Sequence, residues 1–295
     1  MAKIIDGKAI AQEMQEEMKA QVDELKNIGI APGLAVILIG DDPASRIYVR
    51  NKEKACERTG IYSDVYRLPA STSERDIIAL VDELNHNRSI HGILIQLPLP
   101  GHIDEGKMIM KIDPDKDVDG LHPVNVGKMV IGKPSFLPCT PLGCKVLLER
   151  CGIETNGKHM VILGRSNSVG KPLANIMLQK SSGANAIVTV CHSATKNLSY
   201  YTLQADILVA AVGRPHLVTA DMVKEGVVVI DVGINRIDDP SLISGNRLVG
   251  DVDFEAVSKK ASAITPVPGG VGPMTVTMLM HNTIQSAARY CENAK

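Results

Sequence analysis

Two hydrophobic patterns alternate along the chain: apolar residues at helical spacing, and short continuous apolar runs. Ile10, Met14, Met18, Val22 and Leu25 place a helix over Lys8 to Ile28, with Gly29 ending it. Leu34 to Ile39 is uninterrupted and apolar, which predicts a buried parallel strand. Ala44 to Thr59 reads as a helix stopped by Gly60, Tyr62 to Leu68 as a strand, and Glu74 to Asn87 as a helix capped by Ser71 or Ser73. Gly92 to Pro100 is a further buried strand that stops at prolines, which cannot continue a central ladder. A short helix follows over Asp104 to Ile112, and Thr140 and Pro141 open another through Glu149. Beyond it, strands are predicted near 160–164, 186–191, 206–212, 227–232 and 248–250, with short helices between them. A final amphipathic helix spans Met274 to Asn293. Such alternation predicts the α/β class with parallel sheets. Phe136-Leu-Pro-Cys-Thr-Pro141 marks a boundary between two domains. One is an N-terminal α/β domain of residues 1–139, onto which 275–295 pack back; the other is a Rossmann-type domain of residues 140–274.

The most informative stretch runs from Val161 to Ala174. Its apolar start predicts a strand, Gly164 to Gly170 a turn of small residues, and Pro172 the first turn of a helix. Free N–H groups and the positive end of a helix dipole at such a turn make an anion site. The motif is not a P-loop, G-x-x-x-x-G-K-[ST]. One residue too many separates Gly164 from Gly170-Lys171, and Pro172 lacks the metal-binding hydroxyl. The dinucleotide pattern G-x-G-x-x-G is also imperfect, since Ser166 holds its second glycine position and Gly170 comes one position late. On these residues alone a dinucleotide turn and a plain tight βα turn both stand. The next strand ends in His192-Ser193-Ala194-Thr195, and no acid occurs between Arg165 and Ala205. An NAD ribose calls for an acid near here, whereas a 2′-phosphate prefers arginine and hydroxyls. Arg165, Ser193 and Thr195 therefore favour NADP.

Composition narrows the picture by exclusion. The 295 residues suffice for about two domains. A net charge of −1, from 32 basic and 33 acidic residues, together with the absence of Trp, argues against a nucleic-acid partner. No apolar run reaches membrane-span length. The first residues lack a signal-peptide core and carry acids at Asp6, Glu13, Glu16 and Glu17, so the expected location is cytoplasmic. The six cysteines form no C-x-x-C pair, which fits reduced thiols better than a zinc knuckle, and no metal is expected.

Four further features bear on candidate chemistry. Tyr48 and Lys52 lie four apart on one helix face, behind a strand's carboxyl end, where lysine can transfer protons or orient a substrate; an exposed lysine beside a snorkelling tyrosine is the plain alternative. Gln96 is a polar residue near the end of an apolar run, and could serve the same site or merely bond a loop. Acids at 113, 115, 117 and 119 imitate a calcium loop but lack its closing Glu. Three prolines and three glycines between Pro266 and Met274 fix a single loop shape against which something flat could lie.

Four segments together resemble one family. They are Tyr48-Val-Arg-Asn-Lys52; Gln96-Leu-Pro-Leu-Pro100 with Lys116-Asp-Val-Asp-Gly120; Gly164 to Pro172; and Pro266-Val-Pro-Gly-Gly-Val-Gly-Pro-Met-Thr275. The chain is similar over essentially its full length to bifunctional methylenetetrahydrofolate dehydrogenase/methenyltetrahydrofolate cyclohydrolases. The resemblance implies a folate-binding domain, an NADP domain and a cleft between them. It implies oxidation of 5,10-methylenetetrahydrofolate with NADP, then hydrolysis of the methenyl product to 10-formyltetrahydrofolate. By the same resemblance Lys52 is the general acid/base, Gln96 holds and tunes it, Tyr48 stacks on the folate and Asp119 bonds the pterin edge. Pro268, Gly269 and Gly270 line the folate pocket, while Gly164, Arg165, Ser166, Ser193 and Ile234 serve the cofactor. A homodimer through the nucleotide domain is also implied. Three alternatives remain. Another two-domain NADP dehydrogenase would explain Gly164 to Pro172 but not the loop at 266–273. A single-activity dehydrogenase of the same family would not need both Tyr48 and Lys52. A non-catalytic sensor would not need Lys52, Gln96 and Asp119.

Overall fold

A computed structural model describes residues 2–241 and 245–293, with side chains through Tyr290. The expected chain ends at 1 and 295, and the Cys291 thiol, lie outside the described residues. The elements in chain order begin with β1 (Lys3–Ile4), α1 (Gly7–Asn27), β2 (Gly33–Ile39), α2 (Pro43–Thr59), β3 (Tyr62–Leu68), α3 (Glu74–His86) and β4 (Gly92–Ile95). Next come α4 (Glu105–Ile109), α5 (Pro123–Val130), α6 (Cys139–Arg150), β5 (His159–Leu163), α7 (Gly170–Met177), β6 (Ile187–Cys191), α8 (Leu198–Thr202) and β7 (Ile207–Ala210). The chain ends with β8 (Val228–Asp231), β9 (Asn235–Asp238), β10 (Asn246–Val249), α9 (Phe254–Val257), β11 (Ala263–Ile264) and α10 (Val271–Asn293).

The chain divides into two compact units, and the division falls within α1 and α10. One comprises Gln12–Cys139 and Val276–Lys295. Its sheet has the order β3-β2-β4, all parallel, with fully buried β2 at the centre. That is why β2 reads as an unbroken apolar run. Ile77, Val81 and Leu84 of α3 pack with Ile37, Ile93 and Ile95 in its core. Asp42 caps α2 by accepting from the Ser45 N–H at 2.7 Å, and Gly60 ends the helix in the left-handed region. Asn282 of α10 donates to the carbonyls of Val118 at 2.8 Å and Leu137 at 3.0 Å, tying that helix to the loops on either side of α5.

The other unit comprises Met1–Ala11 and Thr140–Thr275. Its six-stranded parallel sheet has the order β1-β11-β8-β7-β5-β6. The chain winds to one side of β5 for β6 and returns to the other side for β7. The carboxyl ends of β5 and β7 therefore flank a topological switch point, where open α/β sheets bind ligands. Two expectations change here. The N-terminal residues belong to this unit, not the first, because β1 pairs with β11 at the sheet edge. The apolar stretch at 248–250 is not part of the parallel sheet; β10 pairs antiparallel with β9 in a separate two-stranded ribbon.

Candidate active site

In the first unit the candidate residues converge from three elements. Lys52 projects from the third turn of α2 and donates from Nζ to Gln96 Oε1 at 2.7 Å. Gln96 follows β4 directly. Its N–H continues the ladder to the Ile37 carbonyl at 2.9 Å, and its Nε2 donates to the Leu97 carbonyl at 2.6 Å. With both ends of its amide engaged, Gln96 presents an acceptor to Lys52 in a fixed direction. Asp119 arrives on the segment beside β4, where the Ile93 N–H donates to the Lys116 carbonyl at 2.8 Å. Buried Lys116 anchors that segment by donating to the Leu84 and Asn87 carbonyls at the end of α3. Asp117 fixes the following turn, accepting from His122 N at 2.8 Å, Leu121 N at 3.2 Å and Asn125 Nδ2 at 2.9 Å. Gly120 has φ +71, and an added Cβ would stand 2.6 Å from the backbone of Leu137, so the turn after Asp119 requires glycine.

The electrostatics follow from burial. Loss of water lowers the Lys52 pKa below the usual lysine value, with Asp119 and then Cys139 opposing the shift. Burial likewise raises the Asp119 carboxyl, against the pull of Lys52 and a Cys139 hydrogen bond. Burial pushes Asp117 up to about 6. Desolvation weakens the ammonium and raises the carboxyl, which brings their proton affinities closer together, as proton exchange requires. Tyr48, one turn before Lys52, is 38% exposed, leaving a ring face on which a flat molecule could stack.

Sequence reasoning missed Cys139, read as a bland thiol at a domain boundary. It is buried, donates to the Val118 carbonyl at 3.3 Å, and lies against Asp119. Its proximity arises because residues 136–138 return to the backbone at Gly120, which no local pattern reveals.

In the second unit, Gly164 follows β5 with φ +117; its N–H donates to the Cys191 carbonyl at 2.8 Å, and an added Cβ would meet the Ala211 carbonyl at 2.1 Å. Close approach across the switch point is the reason for glycine here. The turn differs from expectation in one respect. The N–H groups of Val169 and Gly170 donate to Ser166 Oγ at 3.1 and 3.4 Å, and that of Lys171 donates to the Ser166 carbonyl at 3.1 Å. These amides are therefore not free for an anion, and Ser166 holds the turn in shape. The helix also begins at Gly170, so Pro172 is its third residue. Arg165 and Ser193 are exposed, and Thr195 Oγ1 accepts from the His192 N–H at 2.9 Å. Exposed arginine and serine after β5 and β6, with no acid in the sequence between Arg165 and Ala205, fit a phosphate-bearing ribose. Ile234 is 44% exposed and borders Gly272. In the loop at Pro266–Met274, the Val267–Pro268 peptide is cis, and the Gly269 carbonyl accepts from Lys8 N at 2.9 Å. An added Cβ at Gly7 would meet the Gly270 carbonyl at 1.9 Å. The N-terminal segment thus braces Gly269 and Gly270, while Pro268 is exposed.

A Rossmann-type nucleotide unit and an α/β unit carrying a desolvated Lys–Gln–Asp group define a two-domain, NAD(P)-linked class of enzyme. Residues 5–119 match the family model for the tetrahydrofolate dehydrogenase/cyclohydrolase catalytic domain, and residues 138–291 match the model for its NAD(P)-binding domain. A Pelodictyon phaeoclathratiforme protein named bifunctional protein FolD is 58% identical over 97% of this chain and 98% of its own length. The bifunctional FolD methylenetetrahydrofolate dehydrogenase/cyclohydrolase structure from Campylobacter jejuni is 52% identical, with a TM-score of 0.93, over 98% of this chain and 100% of that one. The Trypanosoma brucei methylenetetrahydrofolate dehydrogenase-cyclohydrolase, solved with NADP and an inhibitor, is 41% identical with a TM-score of 0.93 over 98% of each chain. This chain belongs to the tetrahydrofolate dehydrogenase/cyclohydrolase family.

Proposed function

We propose that the protein oxidises 5,10-methylenetetrahydrofolate with NADP and then hydrolyses 5,10-methenyltetrahydrofolate to 10-formyltetrahydrofolate. The observation that carries this reading is the Lys52–Gln96 hydrogen bond beside Asp119, which places a desolvated ammonium on the unit matched to the family's catalytic domain. NADP, when bound, accepts the hydride. That step needs no protein acid, only the reacting carbons held at near-attack distance. Arg165, Ser166, Ser193, Ile234 and the close turn at Gly164 are assigned to cofactor binding. The assignment is supported by their grouping at the carboxyl ends of β5, β6 and β8.

The methenyl cation is electrophilic, so the remaining chemistry is activation of water and protonation of the opening ring. Lys52 is assigned both proton transfers, since its lowered pKa lets it give and take a proton. Gln96 fixes the Nζ position, Asp119 bonds the pterin edge, and Tyr48 stacks against the ring. Pro268, Gly269 and Gly270 are assigned to the folate pocket. A cytoplasmic homodimer that binds neither nucleic acid nor membrane completes the proposal; the balanced charge speaks against a nucleic-acid partner, and among the described residues no helix is long and apolar enough to cross a membrane.

An absorbance time course with 5,10-methylenetetrahydrofolate, run in parallel with NADP⁺ and NAD⁺, tests the reading. Reduced cofactor growing with NADP⁺, while the methenyl band stays low, is the expected result. Reduced cofactor with a methenyl band decaying only at its spontaneous rate would leave a single-activity dehydrogenase. Absence of reduction with either cofactor would contradict the dehydrogenase.

A further inference from the structure

Asp251 is fully buried and lies just beyond β10, in a Gly-Asp-Val sequence that reads as an ordinary turn. Four donors converge on its carboxylate. The Val212 and Gly213 N–H groups reach Oδ2 at 2.6 and 3.0 Å; Arg214 N–H and Asn235 Nδ2 reach Oδ1 at 2.8 and 2.9 Å. Three successive amides facing one anion form a nest. Here an internal carboxylate fills it, so the nest holds its own backbone in place. The opposite wall is equally tight, since an added Cβ at Gly233 would stand 2.3 Å from the Asp251 carboxyl. Buried Asp231, the last residue of β8, completes the arrangement by accepting from the N–H groups of Gly233, Asp251 and Val252 at 3.0, 3.0 and 2.9 Å.

These bonds fix two segments, Val212–Arg214 after β7 and Gly233–Asn235 after β8. Both lie on the β7–β8 side of the switch point, away from the β6 side that carries Ser193. In a dinucleotide fold the adenosine half occupies the side of the strand after the phosphate turn, and the nicotinamide half the other. Ile234, assigned to the cofactor, sits between two residues that Asp251 touches. Given the dehydrogenase reading above, we propose that Asp251 is a positioning residue for hydride transfer: through the backbone at Val212–Arg214 and Asn235 it sets the shelf for the nicotinamide half of the cofactor.

Asp251→Asn tests this. The amide turns an N–H toward N–H donors, so the shelf shifts while side-chain volume is kept. Circular dichroism and urea unfolding establish that the variant is folded. The expected result is a kcat for NADP reduction about ten- to a hundredfold lower, a larger isotope effect with substrate deuterated at the one-carbon bridge, and methenyltetrahydrofolate hydrolysis within about twofold of wild type. Adenosine 2′,5′-bisphosphate, which carries the adenosine end alone, should bind within about twofold of wild type. If Asp251→Asn fails to fold, Asn235→Ala removes a single donor, and a severalfold loss confined to NADP reduction is expected. Equal loss of both activities, unchanged NADP reduction in a folded variant, or weakened bisphosphate binding that matches the rate loss would overturn the proposal. Wild-type protein that reduces no NADP would instead overturn the functional reading beneath it.

Discussion

Each unit buries acids, and the buried acids are satisfied in two opposite ways. In the nucleotide unit Asp251 takes three backbone N–H groups and one amide N–H, while Asp231 takes three backbone N–H groups. In the other unit Asp119 faces a lysine and a thiol. A carboxylate saturated by backbone donors fixes a loop. One placed beside a desolvated ammonium shapes proton affinity and keeps acceptor capacity for a ligand. Asp117, two residues before Asp119, belongs to the first kind, holding the turn that delivers Asp119. Burial raises Asp117, Asp119 and Asp231 alike, Asp231 to about 7, so the shift alone does not separate the roles. The partners do.

The largest effect expected from this contrast is on Lys52. Lys52→Gln keeps polar length and a donor toward Gln96 but cannot transfer a proton; decay of supplied methenyltetrahydrofolate should slow by about a thousandfold. Next is Asp251→Ala, which removes four part-buried hydrogen bonds to one carboxylate and should cost about 2–3 kcal/mol in urea unfolding. A loss below about 1 kcal/mol would mean that water replaces the carboxylate. Asp119→Asn should act on pH dependence more than on folding. Asp119 raises the Lys52 pKa, so removing its charge favours the neutral amine further. The inflection assigned to Lys52 in the pH profile of hydrolysis should move to lower pH, and a shift to higher pH would break the pairing. The smallest effect sets the scale for a residue that bonds to neither cluster. Ser73→Ala removes the N-cap of α3, which accepts from the Asp76 N–H at 3.2 Å, and should cost about 1 kcal/mol with both activities unchanged.

Much of the fold was legible because its central elements announce themselves. β2 is buried on both faces and reads as an unbroken apolar run, and α2 is bounded by Asp42 and Gly60. Gln96 stood out as a polar residue near the end of an apolar run, and Lys52 through its four-residue spacing from Tyr48, which an exposed surface pair would explain as well. The elements that escaped are those whose pairing is long-range. β1 and β11 are two residues each, too short to show a period, yet β1 brings the N-terminal segment into the nucleotide unit. The α5 helix escaped because it is short and carries Gly127 within it. β10 was read as a core strand from Leu248 and Val249, while its partner β9 alternates Arg and Asp with Ile. Asp231, inside the strand expected near 227–232, and Asp251 were not singled out, since nothing local shows the amides that meet them.

Everything proposed for the catalytic unit turns on Lys52 carrying the hydrolytic half of the reaction. The direct measurement is an absorbance time course of Lys52→Gln with 5,10-methylenetetrahydrofolate and NADP⁺. Reduced cofactor should form while the methenyl band accumulates and decays only at its spontaneous rate. A methenyl band that stays as low as in the wild type, at an equal rate of cofactor reduction, would contradict it.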